Sequence, residues 1–238
     1  MNIMGGTFWE DIKMQAQYKT YMTPEEYLKQ EREAPFKSEY YAGEVFAMAG
    51  ASPRHTLIVA NTVYRFVGQL KGRACTVHPN DLRVQVTPAG LYTYPDIVVV
   101  CGIPRYEDRQ KDTLLNPNVL VEVLSDSTEA FDRGQKFAMY RGLKSLTDYL
   151  LVAQNQAMIE HFVRRPNGQW MLSDYQGMEA TVTLASIGCT LPLADVYDKV
   201  EFDEETAFPK LRLIKEPEVE YVTETRLRRP GDPRPATR

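Results

Sequence analysis

Two short runs constrain this chain more than anything else in it: Ile97-Val98-Val99-Val100 and Val119-Leu120-Val121-Glu122-Val123-Leu124. Continuous apolar stretches of this length, rich in β-branched residues, read as strands buried on both faces of a sheet. Each is marked by one carboxylate where a buried strand ordinarily carries none: Asp96, after Tyr94-Pro95, and Glu122. An unpaired charge inside a sheet costs on the order of several kcal/mol, so such a group holds a partner. One divalent cation can serve two carboxylates at once. A third segment, Asp132 to Tyr140, adds Lys136 on a predicted helix. Two acids and a lysine are the outline of a metal-assisted hydrolase.

The remaining chain supplies a mixed α/β setting. Thr23-Pro24-Glu25-Glu26 starts a helix, with Thr23 as cap, Pro24 at the first helical position and Glu26 closing a capping box; it should stop before Pro35. Residues 38–48 predict a hairpin turning at Ala42-Gly43. A second helix opens at Ser52-Pro53; Val59, Val63, Phe66 and Leu70 form its buried stripe and Gly72 its stop. Strands are expected at 74–78, 82–87, 94–100 and 119–124, with a turn at Pro88-Ala89-Gly90. The polar segment 102–117, carrying Arg105, Arg109 and Lys111, reads as an exposed loop. A helix over 128–141 ends at Gly142, and strands at 149–153, 157–164 and 170–175 follow, the last two joined by Asn167-Gly168. Helices alternating with strands in this order predict a central mixed sheet flanked by helices, within one domain over 21–205. Residues 1–20 read as a flexible leader. Residues 206–238, Pro- and charge-rich with Arg226, Arg228, Arg229, Arg234 and Arg238 near the end, read as a disordered tail.

Composition narrows the function classes. A net charge of -4 counts against simple electrostatic wrapping of nucleic acid. It does not exclude a nuclease, whose acidic metal ligands make the site negative until a cation binds. Cys75, Cys101 and Cys189 are an odd number without C-x-x-C spacing, which argues against disulfides or a zinc site and fits a reducing cytoplasm. No run approaches membrane-spanning length.

Each candidate residue has a plain alternative. If the two strands are neighbours, Asp96 and Glu122 converge on one ion and the Val123 carbonyl supplies a third oxygen, a donor set suited to Mg²⁺. Otherwise both carboxylates are satisfied by backbone or arginine. Asp132, Lys136 and Tyr140 share one helix face, so Lys136 stands beside the metal or forms an ordinary surface ion pair with Asp132. Tyr140 bonds within the site or packs. Glu39, just before an aromatic pair, reaches inward as a further acid or is solvated on the hairpin. His55, in the first turn of its helix, where the dipole disfavours its protonated form, touches substrate or packs.

These residues together resemble the Uma2 family (DUF820), placed in the PD-(D/E)XK restriction-endonuclease-like superfamily. The matching residues are Thr23-Pro24-Glu25-Glu26-Tyr27-Leu28, Glu39, Gly43, Met48, Gly50, His55, Asp81-Leu82-Arg83-Val84, Tyr94-Pro95-Asp96, Glu122-Val123-Leu124-Ser125, Ser127-Thr128, Asp132, Lys136, Tyr140 and Leu191-Pro192-Leu193. The resemblance implies a restriction-endonuclease-like fold, Asp96 and Glu122 as metal ligands and Glu39 as an upstream acid. The superfamily's lysine should follow the second acid by two residues, where this chain has Leu124. Relatives of this kind carry it on the next helix, a place Lys136 matches.

The expectation is a Mg²⁺-dependent DNA endonuclease, with Mn²⁺ as a substitute ion and a homodimer for two-strand cutting. A scaffold or DNA-binding module that kept the fold without catalysis is the rival, and a phosphatase-like hydrolase of small esters the third reading.

Overall fold

Thr23 opens the first helix as its sequence demands. Its hydroxyl accepts the Glu26 N–H while the Glu26 carboxylate accepts the Thr23 N–H at 2.8 Å, and Pro24 occupies the first turn. The computed structural model describes residues 21–48, 50–86, 90–126 and 128–202. The expected leader, the expected tail, Ser127 and the turn at Pro88-Ala89 lie outside those residues.

The elements run α1 (Pro24–Glu33), β1 (Ser38–Tyr41), β2 (Glu44–Ala47), α2 (Pro53–Leu70), β3 (Cys75–Pro79), β4 (Arg83–Val86), β5 (Leu91–Thr93), β6 (Ile97–Cys101), β7 (Thr113–Leu114) and β8 (Val119–Val123). A helix over 129–140 follows, here α3, and then β9 (Asp148–Val152), β10 (Met158–Arg164), β11 (Trp170–Gln176), β12 (Thr181–Leu184), β13 (Cys189–Pro192) and a last helical turn, Leu193–Val196. The hairpin turns where expected: Ala42 and Gly43 both have positive φ (48° and 92°), as a two-residue turn matched to strand twist requires.

The central sheet has the order β11-β10-β9-β8-β6-β3, with β8 and β9 parallel and its other pairs antiparallel. Alternate side chains feed two cores. Ile97, Val99, Val119, Val121, Val123, Leu150 and Val152 pack with the α2 stripe of Ile58, Val59, Phe66 and Leu70. Val98, Val100, Leu120, Leu124 and Leu151 face the other way, onto Met139 and Tyr140 of α3 and onto Val84, Val86 and Leu91. Those last three belong to a second sheet, β2-β1-β5-β4-β7. Burying one such aliphatic or aromatic side chain is worth about 1.5–3 kcal/mol, which is why the two continuous runs became strands β6 and β8.

Three expectations are corrected, and one pair of strands was not foreseen. The strand expected over 94–100 begins only at Ile97, because Pro95 interrupts pairing and Asp96 forms a bend. The segment 102–117 is not uniformly exposed: Thr113 and Leu114 are buried as β7, parallel to β4. The cysteine reading fails in part. Cys75 and Cys101 stand directly opposite on antiparallel β3 and β6 and form a disulfide, a pairing that a separation of 26 residues does not announce, while Cys189 is free and buried. Finally, β12 and β13, with no strong periodic signal, form a two-stranded sheet against the α2 core.

Candidate functional site

Neighbouring strands deliver the first two acids. β6 and β8 pair with Ile97 opposite Val121, which puts Asp96, just before β6, level with the Glu122–Val123 end of β8. Asp96 lies outside the strand, so alternation with Val98 and Val100 does not set its facing. Its carboxylate Oδ2 accepts the Val123 N–H at 2.7 Å. The recorded contact of Val123 is thus through its N–H rather than the expected carbonyl. The two groups of one strand residue point to the same edge, so that carbonyl faces the Asp96 side.

Glu122 keeps the facing of Leu120 and Leu124 and is almost wholly buried. The Tyr140 hydroxyl donates to its Oε1 at 2.9 Å, and the Lys136 ammonium stands 3.1 Å from the same oxygen. Lys136 also lies 3.2 Å from Glu39 and 3.4 Å from Asp132. Its side chain is only 6% exposed, which excludes the plain surface ion pair. The helix carrying it widens and then tightens again: α turns at Glu129–Phe131 and Phe137–Tyr140 flank a π turn at Asp132–Lys136. Such turns are rare and often stand at functional sites. Here it aims Asp132 and Lys136 inward together.

Glu39 comes from β1 of the second sheet, where the Thr93 hydroxyl at the end of β5 donates to it. His55, one turn into α2, places Nε2 2.9 Å from Asp96 Oδ1, so it contacts a candidate ligand rather than open substrate space. Glu122, Lys136, Glu39 and Tyr140 therefore meet in one cluster, and Asp96 with His55 stands beside it, bonded to the Val123 N–H next to Glu122. Two members were missed: Thr93, and Asp132 as more than an ion-pair partner. A hydroxyl in Tyr92-Thr93-Tyr94 carries no local signal of its distant carboxylate.

Electrostatically the cluster is overfilled with acids. Burial pushes the Glu122 carboxyl up to about 8, Lys136 opposing and Asp132, Asp96 and Glu39 reinforcing the shift. Burial likewise raises Asp132, with Lys136 working against it. Burial would lower Lys136, but Glu122, Glu39 and Asp132 outweigh it and hold the ammonium well above its ordinary range. Burial and the neighbouring Glu122 and Glu39 keep the Tyr140 phenol protonated, as a donor. Three carboxylates, Glu122, Glu39 and Asp132, thus surround one ammonium, with Asp96 close enough to reinforce the shift of Glu122, an excess of acid that suits a hard divalent cation. As the side chains stand, no three described acid, histidine or cysteine side chains already enclose an ion site. Mg²⁺ keeps several waters and needs only one or two protein carboxylates, so the donor set still fits it.

The chain as a whole is similar to known proteins. The model of the Uma2 family, described as "Putative restriction endonuclease", matches residues 24–194. The uncharacterized protein slr1290 of Synechocystis is 36% identical over 182 residues, covering 76% of this chain and 94% of that one. A second Synechocystis protein, sll1609, also uncharacterized, is 33% identical over 161 residues, 68% of this chain and 91% of its own. Among solved structures, a "putative nuclease belonging to DUF820" from Anabaena variabilis superposes with a TM-score of 0.60 at 21% identity, over 74% of this chain and 97% of that one. That likeness shows that the two chains share one mixed α/β fold.

Proposed function

This chain belongs to the Uma2 family, and from that membership and its lysine-centred acid cluster we propose that it is a Mg²⁺-dependent endonuclease hydrolysing phosphodiester bonds in DNA. The carrying observation is that Lys136, from the helix after β8, reaches Glu122 at 3.1 Å although Leu124 fills the usual lysine position. Relocation of the lysine therefore leaves the cluster complete.

Asp96 and Glu122, with the Val123 carbonyl, are the hard oxygens that would hold the ion. When bound, a divalent cation lowers the pKa of its water and offsets charge on a phosphate in flight. The chain's own groups do the rest. Tyr140 orients Glu122 through its hydroxyl, and Thr93 and Lys136 orient Glu39. Lys136 keeps its proton and donates hydrogen bonds, to the attacking water or to a non-bridging phosphate oxygen. Each such site cuts one strand, so two-strand cutting carries a dimer on DNA. Among the described residues no helix is long and apolar enough to cross a membrane.

Plasmid cleavage with Mg²⁺ tests the proposal. Wild type should nick or linearise the substrate, EDTA should stop it, and Asp96→Ala and Lys136→Ala should each slow it roughly 100-fold or more. Undiminished cleavage in both variants overturns the roles. A wild type inert with Mg²⁺ and Mn²⁺ on every duplex favours the non-catalytic scaffold.

A further inference from the structure

The first turn of α2 is tied to the site more closely than its packing requires. Its apolar stripe already holds the helix on the sheet through Ile58, Val59, Phe66 and Leu70. Ahead of that stripe, Ser52 caps the helix by accepting the His55 N–H at 3.0 Å, and its hydroxyl donates to Gln154 Oε1 at 2.8 Å. Gln154 in turn donates to the Leu124 carbonyl at 2.6 Å, at the end of β8. The backbone of His55 is thereby fixed against the two strand ends that carry Glu122 and Ala153. Its ring ends 2.9 Å from Asp96 Oδ1, with both side chains about five-sixths buried.

A carboxylate only accepts, so the imidazole must be the donor, through Nε2–H. Asp96 is then gripped from both sides, His55 on Oδ1 and the Val123 N–H on Oδ2. Each oxygen keeps a lone pair for a cation, but the plane of the group can no longer turn. We propose that His55 is a positioning residue that orients Asp96 for metal binding and does not itself touch the substrate. The role rests on the metal-nuclease reading above. Hydrogen bonds from a protein group to a ligating carboxylate or histidine commonly carry a 10–100-fold effect on metal affinity when removed.

The test is Mn²⁺ calorimetry on the full-length protein, wild type against His55→Ala and His55→Gln, with thermal unfolding in EDTA alongside. His55→Ala should weaken Mn²⁺ binding about 10- to 100-fold. His55→Gln, whose amide N–H can donate in place of Nε2–H, should recover a large part of it. The melting temperature in EDTA should fall by only a few degrees, the cost of one lost hydrogen bond to Asp96, because His55 is absent from the core stripe and its capping bond uses backbone N–H. In cleavage assays the alanine variant should need more Mg²⁺ for half-maximal rate while its KM for DNA stays near wild type. A His55→Ala that binds Mn²⁺ as tightly as wild type overturns the positioning role and leaves the nuclease reading standing. Loss of affinity that glutamine does not recover, accompanied by a large fall in melting temperature, marks a structural role and also overturns it. Wild type that binds no Mn²⁺ overturns the metal-site reading itself and this role with it.

Discussion

Replacing Lys136 with methionine should expose how much one ammonium holds together. Its Nζ lies within 3.1–3.4 Å of Glu122, Glu39 and Asp132, and methionine keeps the bulk of the stem without the charge. Removing one partner from a buried ionic cluster typically costs about 3–5 kcal/mol, since the remaining charges stay desolvated and unpaired. At roughly 2–4 °C per kcal/mol for a domain of this size, the melting temperature should fall by about 6–20 °C in metal-free buffer at pH 8. The deficit should depend on pH. Glu122 and Asp132 have folded-state pKa values raised above their unfolded values, Glu122 to about 8, so their ionisation opposes folding as pH rises above the unfolded range near 4. Lys136 relieves that opposition only where the acids are ionised. The variant should therefore approach wild type at pH 5 and fall away from it toward pH 8. Thermal unfolding by circular dichroism across that range reads the difference. Adding Glu122→Gln to the variant should recover part of the loss, through a coupling between adjacent groups. A melting temperature at pH 8 within 2–3 °C of wild type (about 1 kcal/mol), or a deficit equal at pH 5 and pH 8, would refute the reasoning.

Other perturbations test the surroundings. Thr93→Val preserves shape but strips the donor from Glu39, so it should cost about 1–3 kcal/mol by denaturant unfolding and slow cleavage without touching Asp96. On the opposite core, burial works against Asp148, but hydrogen bonds from His161 (2.7 Å) and Ser186 outweigh it and hold its pKa below the usual 3.8. That stabilisation is present above the unfolded pKa and lost as pH falls through the lower folded value. Asp148→Asn should thus be about 1.5–3 kcal/mol less stable at pH 6 and converge on wild type below pH 4, as urea unfolding will record. Non-reducing peptide mass spectrometry should find Cys75 linked to Cys101, with Cys189 alone reacting with alkylating reagent after unfolding. Three free thiols in the unreduced protein would contradict the pairing.

Much of the scaffold was legible because its causes are local. The Thr23 capping box, the Ala42-Gly43 turn, the α2 stripe ending at Gly72 and the runs around Val98 and Val121 each express interactions within a few residues of chain. The identities of Asp96, Glu122, Glu39 and Lys136 were equally visible, since charge in an apolar run and spacing along a helix are properties of the string itself. Their resemblance to a known family strengthened the selection, but each residue kept a plain alternative. Alternation could not place Asp96, because it stands in a bend before the strand, and elimination misjudged Cys75 and Cys101, because cross-strand opposition leaves no spacing rule.

The amino-acid sequence by itself marked most of the helices and strands and the side chains expected to carry chemistry. Only the tertiary structure decided that Lys136 sits among three acids, that Thr93 grips Glu39 and that His55 grips Asp96. Those meetings join residues 41, 54 and 97 positions apart, and they depend on strand order, register and the π turn in α3. Local propensity is set over a turn or two of chain. A cluster of charges from β1, β8 and α3 exists only after two sheets have closed over it and removed the water that would otherwise have kept them apart.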